Sequence, residues 1–204
     1  MKKLLLILLI SSHAFSEKLI HVSEYIDGIN DRVLKNASIV VGDDGRIKSI
    51  SSGFKNSNGY QYIDLRDYMV MPGLMDMHVH FGQQNTSKAD KPEKVEKEYS
   101  AIAAVKHARM TLDGGFTTVR QVGDSGFIAI SLRDAITNGD AIGPRIFAAG
   151  KSLATTGGHA DPTNGRAFGD YVYPDPESGV VNGPYEVFAG VRQRYKDGAD
   201  GIKI

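Results

Sequence analysis

The sequence of 204 residues contains no cysteine and no tryptophan, and its 24 basic and 24 acidic side chains leave no formal net charge. Without cysteine the chain forms no disulfide and carries no lipid-anchored cysteine, and the lack of stray thiols fits an oxidising compartment. The charge balance provides no electrostatic basis for a nucleic-acid or anionic-membrane partner. The 23 glycines suit a loop-rich α/β chain.

Long apolar runs are also scarce, and the one near the N-terminus is too short to span a bilayer. Lys2-Lys3 is followed by the apolar residues 4–10 and then by Ala14-Phe15-Ser16, a small-x-small sequence. These three parts are typical of a secretory signal peptide, whereas a membrane span needs about 20 apolar residues. We expect residues 1–16 to be a signal peptide and the protein to be exported, periplasmic or secreted, with no membrane association after cleavage.

Residues 17–70 have the pattern of a β domain without helical period. Strands are predicted over residues 18–25, 37–41, 46–50 and 61–65. The second and third are joined by Gly42-Asp43-Asp44-Gly45, which predicts a hairpin because Asp and Gly tolerate the positive φ of such turns.

From residue 71 onward strands and helices alternate. Helices are predicted over residues 92–113, 128–138 and 184–197, and further strands over 117–122, 145–149 and 202–204. The first helix has an apolar stripe at roughly 3.5-residue spacing, formed by Val95, Tyr99, Ile102, Val105 and Leu112. Such alternation implies parallel strands with right-handed crossovers, in either a barrel or a doubly wound sheet.

The strand-like run after the Pro72-Gly73 corner ends in His78-Val79-His80. Side chains alternate along a strand, so the two histidines share one face about 6.6 Å apart, while Met77 and Val79 point into packing. Two imidazoles on one face can bind one metal ion at roughly 2.0–2.1 Å. The pattern predicts a metal site; two unrelated histidines near a strand end are the alternative.

The last residues, 198–204, have the pattern of a turn followed by a short strand. Ile202 and Ile204 would pack under helices, and Lys203 would face the opposite side. Burial disfavours the charged ammonium form of a lysine. A neutral amine can add carbon dioxide and become a carbamate, a carboxylate able to bridge two cations. On position alone, a solvated lysine is the alternative.

Together these motifs resemble the amidohydrolase superfamily, in particular its imidazolonepropionase-like and Xaa-Pro dipeptidase-like branch. The run ending in His78 and His80 is similar to the first barrel strand, and residues 198–204 are similar to the fourth. Thr155-Thr156-Gly157-Gly158-His159 resembles the Gly-Gly-His segment of that branch. The resemblance implies an α/β fold: a β-sandwich portion over residues 17–70, then a partial (β/α)8 TIM barrel over 71–204. Because a complete barrel needs about 250 residues, we expect an N-terminal fragment with about four barrel strands.

The resemblance also implies a metal-dependent amidohydrolase that cleaves amide-type C–N bonds. One or two divalent ions, zinc being the expected metal, would be held by His78, His80 and Lys203 as its carbamate. His159 would bind a substrate carbonyl or carboxylate; a flexible Gly-rich lid with a solvated histidine is the alternative. The general-base aspartate is expected beyond Ile204, so this chain alone is expected to be inactive and to contain no catalytic residue.

The predicted substrate is a small molecule, Xaa-Pro or a related dipeptide, and an oligomer is compatible with the pattern. The alternatives are an imidazolonepropionase-like cyclic amide hydrolase and a non-catalytic metal-binding or assembly half-barrel. Gln121 stands where the family often has an aspartate, which puts any role of that position in doubt, and Arg120 is expected to anchor structure. His13, His21 and His107 are given no function, and His107 is expected at the surface.

Overall fold

The computed structural model describes residues 17–83, 97–124, 126–165 and 174–204. The chain divides into two compact units, Met1–Pro72 and Gly73–Ile204. The predicted signal peptide, residues 1–16, lies outside the described residues. Across the described ranges, no helix is long and apolar enough to cross a bilayer.

The first unit contains a four-stranded sheet. Its strands are β1 (Lys18–Tyr25), β2 (Leu34–Val41), β3 (Ile47–Ser52) and β4 (Gln61–Val70), in the order β3-β2-β1-β4. The pairs β1–β2 and β2–β3 are antiparallel, whereas β4 is parallel to β1. The core of the unit is formed by buried Val22, Ala37 and Ile39.

The predicted hairpin between β2 and β3 is confirmed. Gly45 has a φ of +73°, and its N–H donates to the Gly42 carbonyl at 2.9 Å. The predicted fourth strand also forms, but it continues to Val70 instead of ending near residue 65. The described part of this unit shows a single sheet, and a second layer of the predicted sandwich is not among the described residues.

The second unit alternates strands and helices as predicted. It contains β5 (Leu74–Val79), a short 3-10 helix (Phe81–Gln83), α1 (Lys97–Asp113), β6 (Phe116–Gln121), α2 (Ile128–Asn138), β7 (Arg145–Ala148) and α3 (Pro184–Lys196). The three strands form a parallel sheet in the order β5-β6-β7. Helix α2 has the predicted bounds and ends at Gly139, whose φ of +83° suits a glycine.

The side of α1 that packs differs from the predicted stripe. Tyr99 and Ile102 are mostly exposed, at 66% and 72%, whereas Ala104 and Ala108 are completely buried in the core cluster. The helix approaches its neighbours closely, since a Cβ added to Gly143 would lie 2.9 Å from the Ala108 Cβ. Small side chains permit this approach and larger apolar ones do not. The predicted helix itself forms over Lys97–Asp113. Residues 92–96 of the predicted helix lie outside the described residues.

The predicted strand over residues 202–204 does not form as a regular strand. The segment meets the sheet through separate hydrogen bonds: the Asp200 N–H donates to the Ala148 carbonyl at 2.7 Å, and the Leu153 N–H donates to the Lys203 carbonyl at 2.8 Å. The Asp200 carboxylate accepts the Ala148 N–H at 2.8 Å. The Asp200 side chain thus occupies the Ala148 N–H, which would otherwise be available to the backbone carbonyl of a neighbouring strand. Ile202 and Ile204 are exposed rather than packed under helices.

The close packing of α1 leads to a stability prediction. We expect Ala108→Leu to lower the free energy of unfolding by about 1–3 kcal/mol, because the added methylenes overfill a tight contact. Ile102→Gln, on the exposed face of the same helix, should change it by no more than about 0.5 kcal/mol. Urea unfolding of both variants measures the difference. Equal losses would contradict the assignment of the buried face.

Candidate metal and substrate site

An open cavity of about 1170 Å³ in the second unit brings together all four predicted site residues. His78, His80, His159 and Lys203 line it. His78 is at the end of β5 and His80 directly follows that strand, while His159 lies in the long segment after β7. Parallel strands place their carboxyl ends at one edge of a sheet, so the segments that follow β5, β6 and β7 meet there.

The two imidazoles of the His-x-His motif lie close together. Their ring centroids are 5.2 Å apart, with an angle of 64° between the planes. Two imidazoles that share one tetrahedral zinc ion, with Zn–N distances of about 2.0–2.1 Å, have ring centres roughly 5 Å apart. The spacing therefore fits a shared divalent ion. Of the two alternating residues, Val79 packs against the core, but Met77 is half exposed, contrary to expectation.

The orientation of His80 is set by a backbone carbonyl. Its Nδ1 lies 3.3 Å from the Gly123 oxygen. Because a carbonyl oxygen only accepts, Nδ1 carries the proton and Nε2 keeps its lone pair. This is the arrangement that metal-binding histidines adopt, with the second ring nitrogen donating to a carbonyl or carboxylate.

Lys203 is half-buried and reaches the same cavity through a segment that is firmly attached to the sheet. Besides its bonds to Ala148, Asp200 accepts a hydrogen bond from the Arg133 Nη1 at 2.8 Å, and the same Nη1 lies 2.8 Å from the Gly198 carbonyl. These contacts fix the backbone just before Lys203. The predicted metal ligands in this cavity are thus two imidazoles and one amine.

His159 is exposed on the cavity wall, and the turn that carries it is held by one carboxylate. Asp161 accepts hydrogen bonds from the Gly157 N–H at 2.8 Å and from the N–H and hydroxyl of Thr163 at 2.8 and 2.7 Å. The Gly157 and Thr163 bonds hold the pKa of Asp161 below its usual value. The carboxylate is therefore ionised at neutral pH, and the turn around His159 keeps its internal bonds.

Residues that the sequence did not single out also border the cavity. Lys97 and Lys151 add two cationic side chains, and Asp124 adds a carboxylate whose Oδ2 accepts the Ala129 N–H at 2.6 Å. The loop wall is secured by Arg194, which is fully buried and donates to the carbonyls of Lys151 and Glu177. The sequence signal for these residues was weak, because their roles depend on contacts between distant segments.

Gln121 and Arg120, at the end of β6, both have structural contacts. The Gln121 side chain is buried; its Oε1 accepts the Phe81 N–H and its Nε2 donates to the Gly123 carbonyl, both at 2.9 Å. The Arg120 Nε donates to the Met77 carbonyl at 2.9 Å, as expected of an anchor. The sequence singled out Gln121 only as a departure from the family's aspartate, because its contacts depend on burial that a local pattern does not show.

The two other described histidines, His21 and His107, do not line the cavity. His21 is buried in the first unit between the rings of Phe54 and Tyr62. His107 was expected at the surface but is half-buried, and its Nδ1 donates to the Phe81 carbonyl at 3.1 Å. His13 lies outside the described residues. Among the residues described, no cluster of three or more His, Cys, Asp or Glu side chains is placed to hold a metal ion.

Comparison with known proteins supplies the wider context. The sequence model of the Amidohydrolase family matches residues 69–204. An ochratoxinase of Aspergillus niger is 28% identical over 191 residues, which cover 84% of this chain and 38% of that protein.

Two solved structures are similar over most of the chain. A Xaa-Pro dipeptidase with methionine bound in its active site shares 65% identity with a TM-score of 0.87, over 92% of this chain and 46% of the other. A prolidase complexed with N-methylphosphonate-L-proline shares 30% identity with a TM-score of 0.78, over 93% and 46%. The chain thus spans less than half the length of these proteins. The similarity confirms the predicted α/β fold with part of a TIM barrel.

Proposed function

The chain belongs to the amidohydrolase family, and on that premise we propose that it forms part of a metal-dependent dipeptidase acting on Xaa-Pro or related dipeptides. The observation that carries the proposal is the meeting of His78, His80, His159 and Lys203 around one cavity. The likeness to a Xaa-Pro dipeptidase at 65% identity and to a prolidase supports this choice of substrate.

In this proposal the histidine pair and Lys203 hold the metal. The 5.2 Å separation of the two rings and the free Nε2 of His80 support their sharing one ion, proposed to be zinc. Lys203, as its carbamate, would supply an oxygen ligand and so allow a second ion to bind. When bound, such ions lower the pKa of a water molecule and polarise the scissile carbonyl.

The substrate is proposed to bind in this cavity through its carboxylate. A dipeptide carries one carboxylate, and Lys97, Lys151 and His159 are among the residues that line the cavity. The turn around Asp161 holds the backbone beside His159, which supports a role for this imidazole in hydrogen bonding a substrate carbonyl or carboxylate. An ordered turn is less favourable to the alternative of a freely mobile lid.

Export is a further part of the proposal, supported by the lysines, the short apolar run and the small-x-small sequence within residues 1–16. We expect the mature protein, recovered from the periplasm or the medium, to begin at Glu17. Mass spectrometry of its N-terminal peptide tests this. Leu6→Arg should block processing, and an unprocessed N-terminus on the native protein would contradict export.

The metal assignment is tested by elemental analysis. The purified protein should bind zinc or another divalent ion, and His78→Ala combined with His80→Ala should lose it, because both imidazole ligands are removed. His21→Phe serves as the control, since it removes a histidine from the first unit and fills the space between the Phe54 and Tyr62 rings. The same metal stoichiometry in the double variant would show that the assignment is wrong.

The reaction is tested by turnover of the longer protein, where the reading frame continues beyond Ile204. We expect metal-dependent release of proline from Xaa-Pro dipeptides. Lys203→Ala should lower kcat by roughly 100-fold or more. Loss of a residue that only hydrogen-bonds a metal ligand can already cost about 100-fold, and this variant removes a proposed ligand itself. Lys106→Ala, an exposed position on α1, should leave kcat unchanged.

Three other results would redirect the proposal. Preference for cyclic amides over dipeptides would indicate an imidazolonepropionase-like hydrolase. Bound metal in the longer protein without turnover of either class would indicate a non-catalytic metal-binding protein. Full activity of Lys203→Ala would exclude the bridging role of Lys203.

A further inference from the structure

The Gln121 side chain bonds to two segments that contact His80: the residue that follows it and the loop after β6. It is only 1% exposed, at the carboxyl end of β6. Its amide accepts a hydrogen bond from the backbone N–H of Phe81, the residue after His80, and donates one to the carbonyl of Gly123. One side chain thereby links the end of β5 to the loop after β6.

The chemistry of the two partners fixes the orientation of this amide. A backbone N–H only donates and a backbone carbonyl only accepts, so Oε1 faces Phe81 and Nε2 faces Gly123. A glutamate could form the first bond but would place a second oxygen against the Gly123 carbonyl. A glutamine therefore satisfies both partners where an acidic residue does not.

The Gly123 carbonyl is shared between Gln121 and His80. It lies 2.9 Å from the Gln121 Nε2 and 3.3 Å from the His80 Nδ1. The position of this oxygen decides whether Nδ1 keeps its proton and whether Nε2 stays free. Gln121 thus acts on the imidazole twice, through the backbone that follows it and through the carbonyl that sets its tautomer.

The loop after β6 has little room to move away from this arrangement. A Cβ added to Gly123 would lie 3.3 Å from the His80 Cε1 and 3.0 Å from the Ser152 Oγ. The Ser152 hydroxyl in turn donates to the Val122 carbonyl at 3.2 Å. The glycine allows the carbonyl to approach the ring, and Ser152 supports the loop from the other side.

We propose that Gln121 is a positioning residue that holds His80 in its Nδ1-protonated form, with Nε2 available to a divalent ion in the cavity. The inference rests on the proposed role of His80 as a metal ligand. It assigns a role to Gln121, the position where the family often has an aspartate.

The first test needs no variant and no metal. In the metal-free native protein at a pH where imidazoles are neutral, nitrogen-15 NMR should show His80 protonated at Nδ1, with the resonance assigned by its loss in His80→Asn. Protonation of His80 at Nε2 would overturn the proposal. This measurement stands whether or not the protein proves to be a dipeptidase.

The second test compares two variants on the same face of β6. Gln121→Met has a similar volume but neither hydrogen bond, and we expect it to weaken zinc binding 10- to 100-fold in calorimetric titrations with zinc chloride. It should also give a mixture of His80 tautomers. Val119→Ala, which creates a cavity in the fully buried core two residues away, should weaken zinc binding less than twofold and preserve the tautomer.

The outcomes separate positioning from general stability. Unchanged zinc affinity and tautomer in Gln121→Met would overturn the proposal, as would an equal loss of affinity in Val119→Ala. If Gln121→Met does not fold, Gln121→Glu replaces it and should shift both readouts in the same direction; native values there would also overturn the proposal. If the native protein binds no zinc, the proposed function fails, and the tautomers of the native protein and the variants decide this inference alone.

Discussion

Parallel pairing of β5, β6 and β7 is the constraint on which the site depends. The registers align Asp76 with Val119 and Val119 with Ile146, so the three strands end at one edge of the sheet. This shared edge brings side chains far apart in sequence, such as His80 and Ser152, to the same cavity. The loop after each strand then determines the chemistry, while the strands themselves supply a rigid base.

Much of this arrangement could be read from local sequence patterns. The bounds of α2, the hairpin at Gly45 and the closeness of His78 and His80 follow from periodicity, turn chemistry and strand alternation, which act over a few residues. The packed side of α1 could not be predicted in this way. Tyr99 and Ile102 of its apolar stripe are exposed, whereas Ala104 and Ala108 are buried where Gly143 comes close to the helix.

The contacts that complete the site are also non-local, which explains why the sequence did not reveal them. Gln121 contacts Phe81 across 40 residues, and Arg133 contacts Asp200 across 67. The carboxylates of Asp124 and Asp161 line the cavity but accept backbone N–H groups. The cavity lining therefore contains lysines as well as two carboxylates that accept backbone hydrogen bonds.

Because of the buried guanidinium of Arg194, the geometry of the cavity does not depend on the length of the segment after β7. By donating to the carbonyls of Lys151 and Glu177, it fastens both ends of that segment to α3, and its Nε lies 3.2 Å from the Asp197 carboxylate. With its ends fixed, changing the number of residues between them costs little closure entropy, since this cost grows only with the logarithm of length. Insertions and deletions there can reshape the outer wall for new ligands while His78, His80 and Lys203 keep their places.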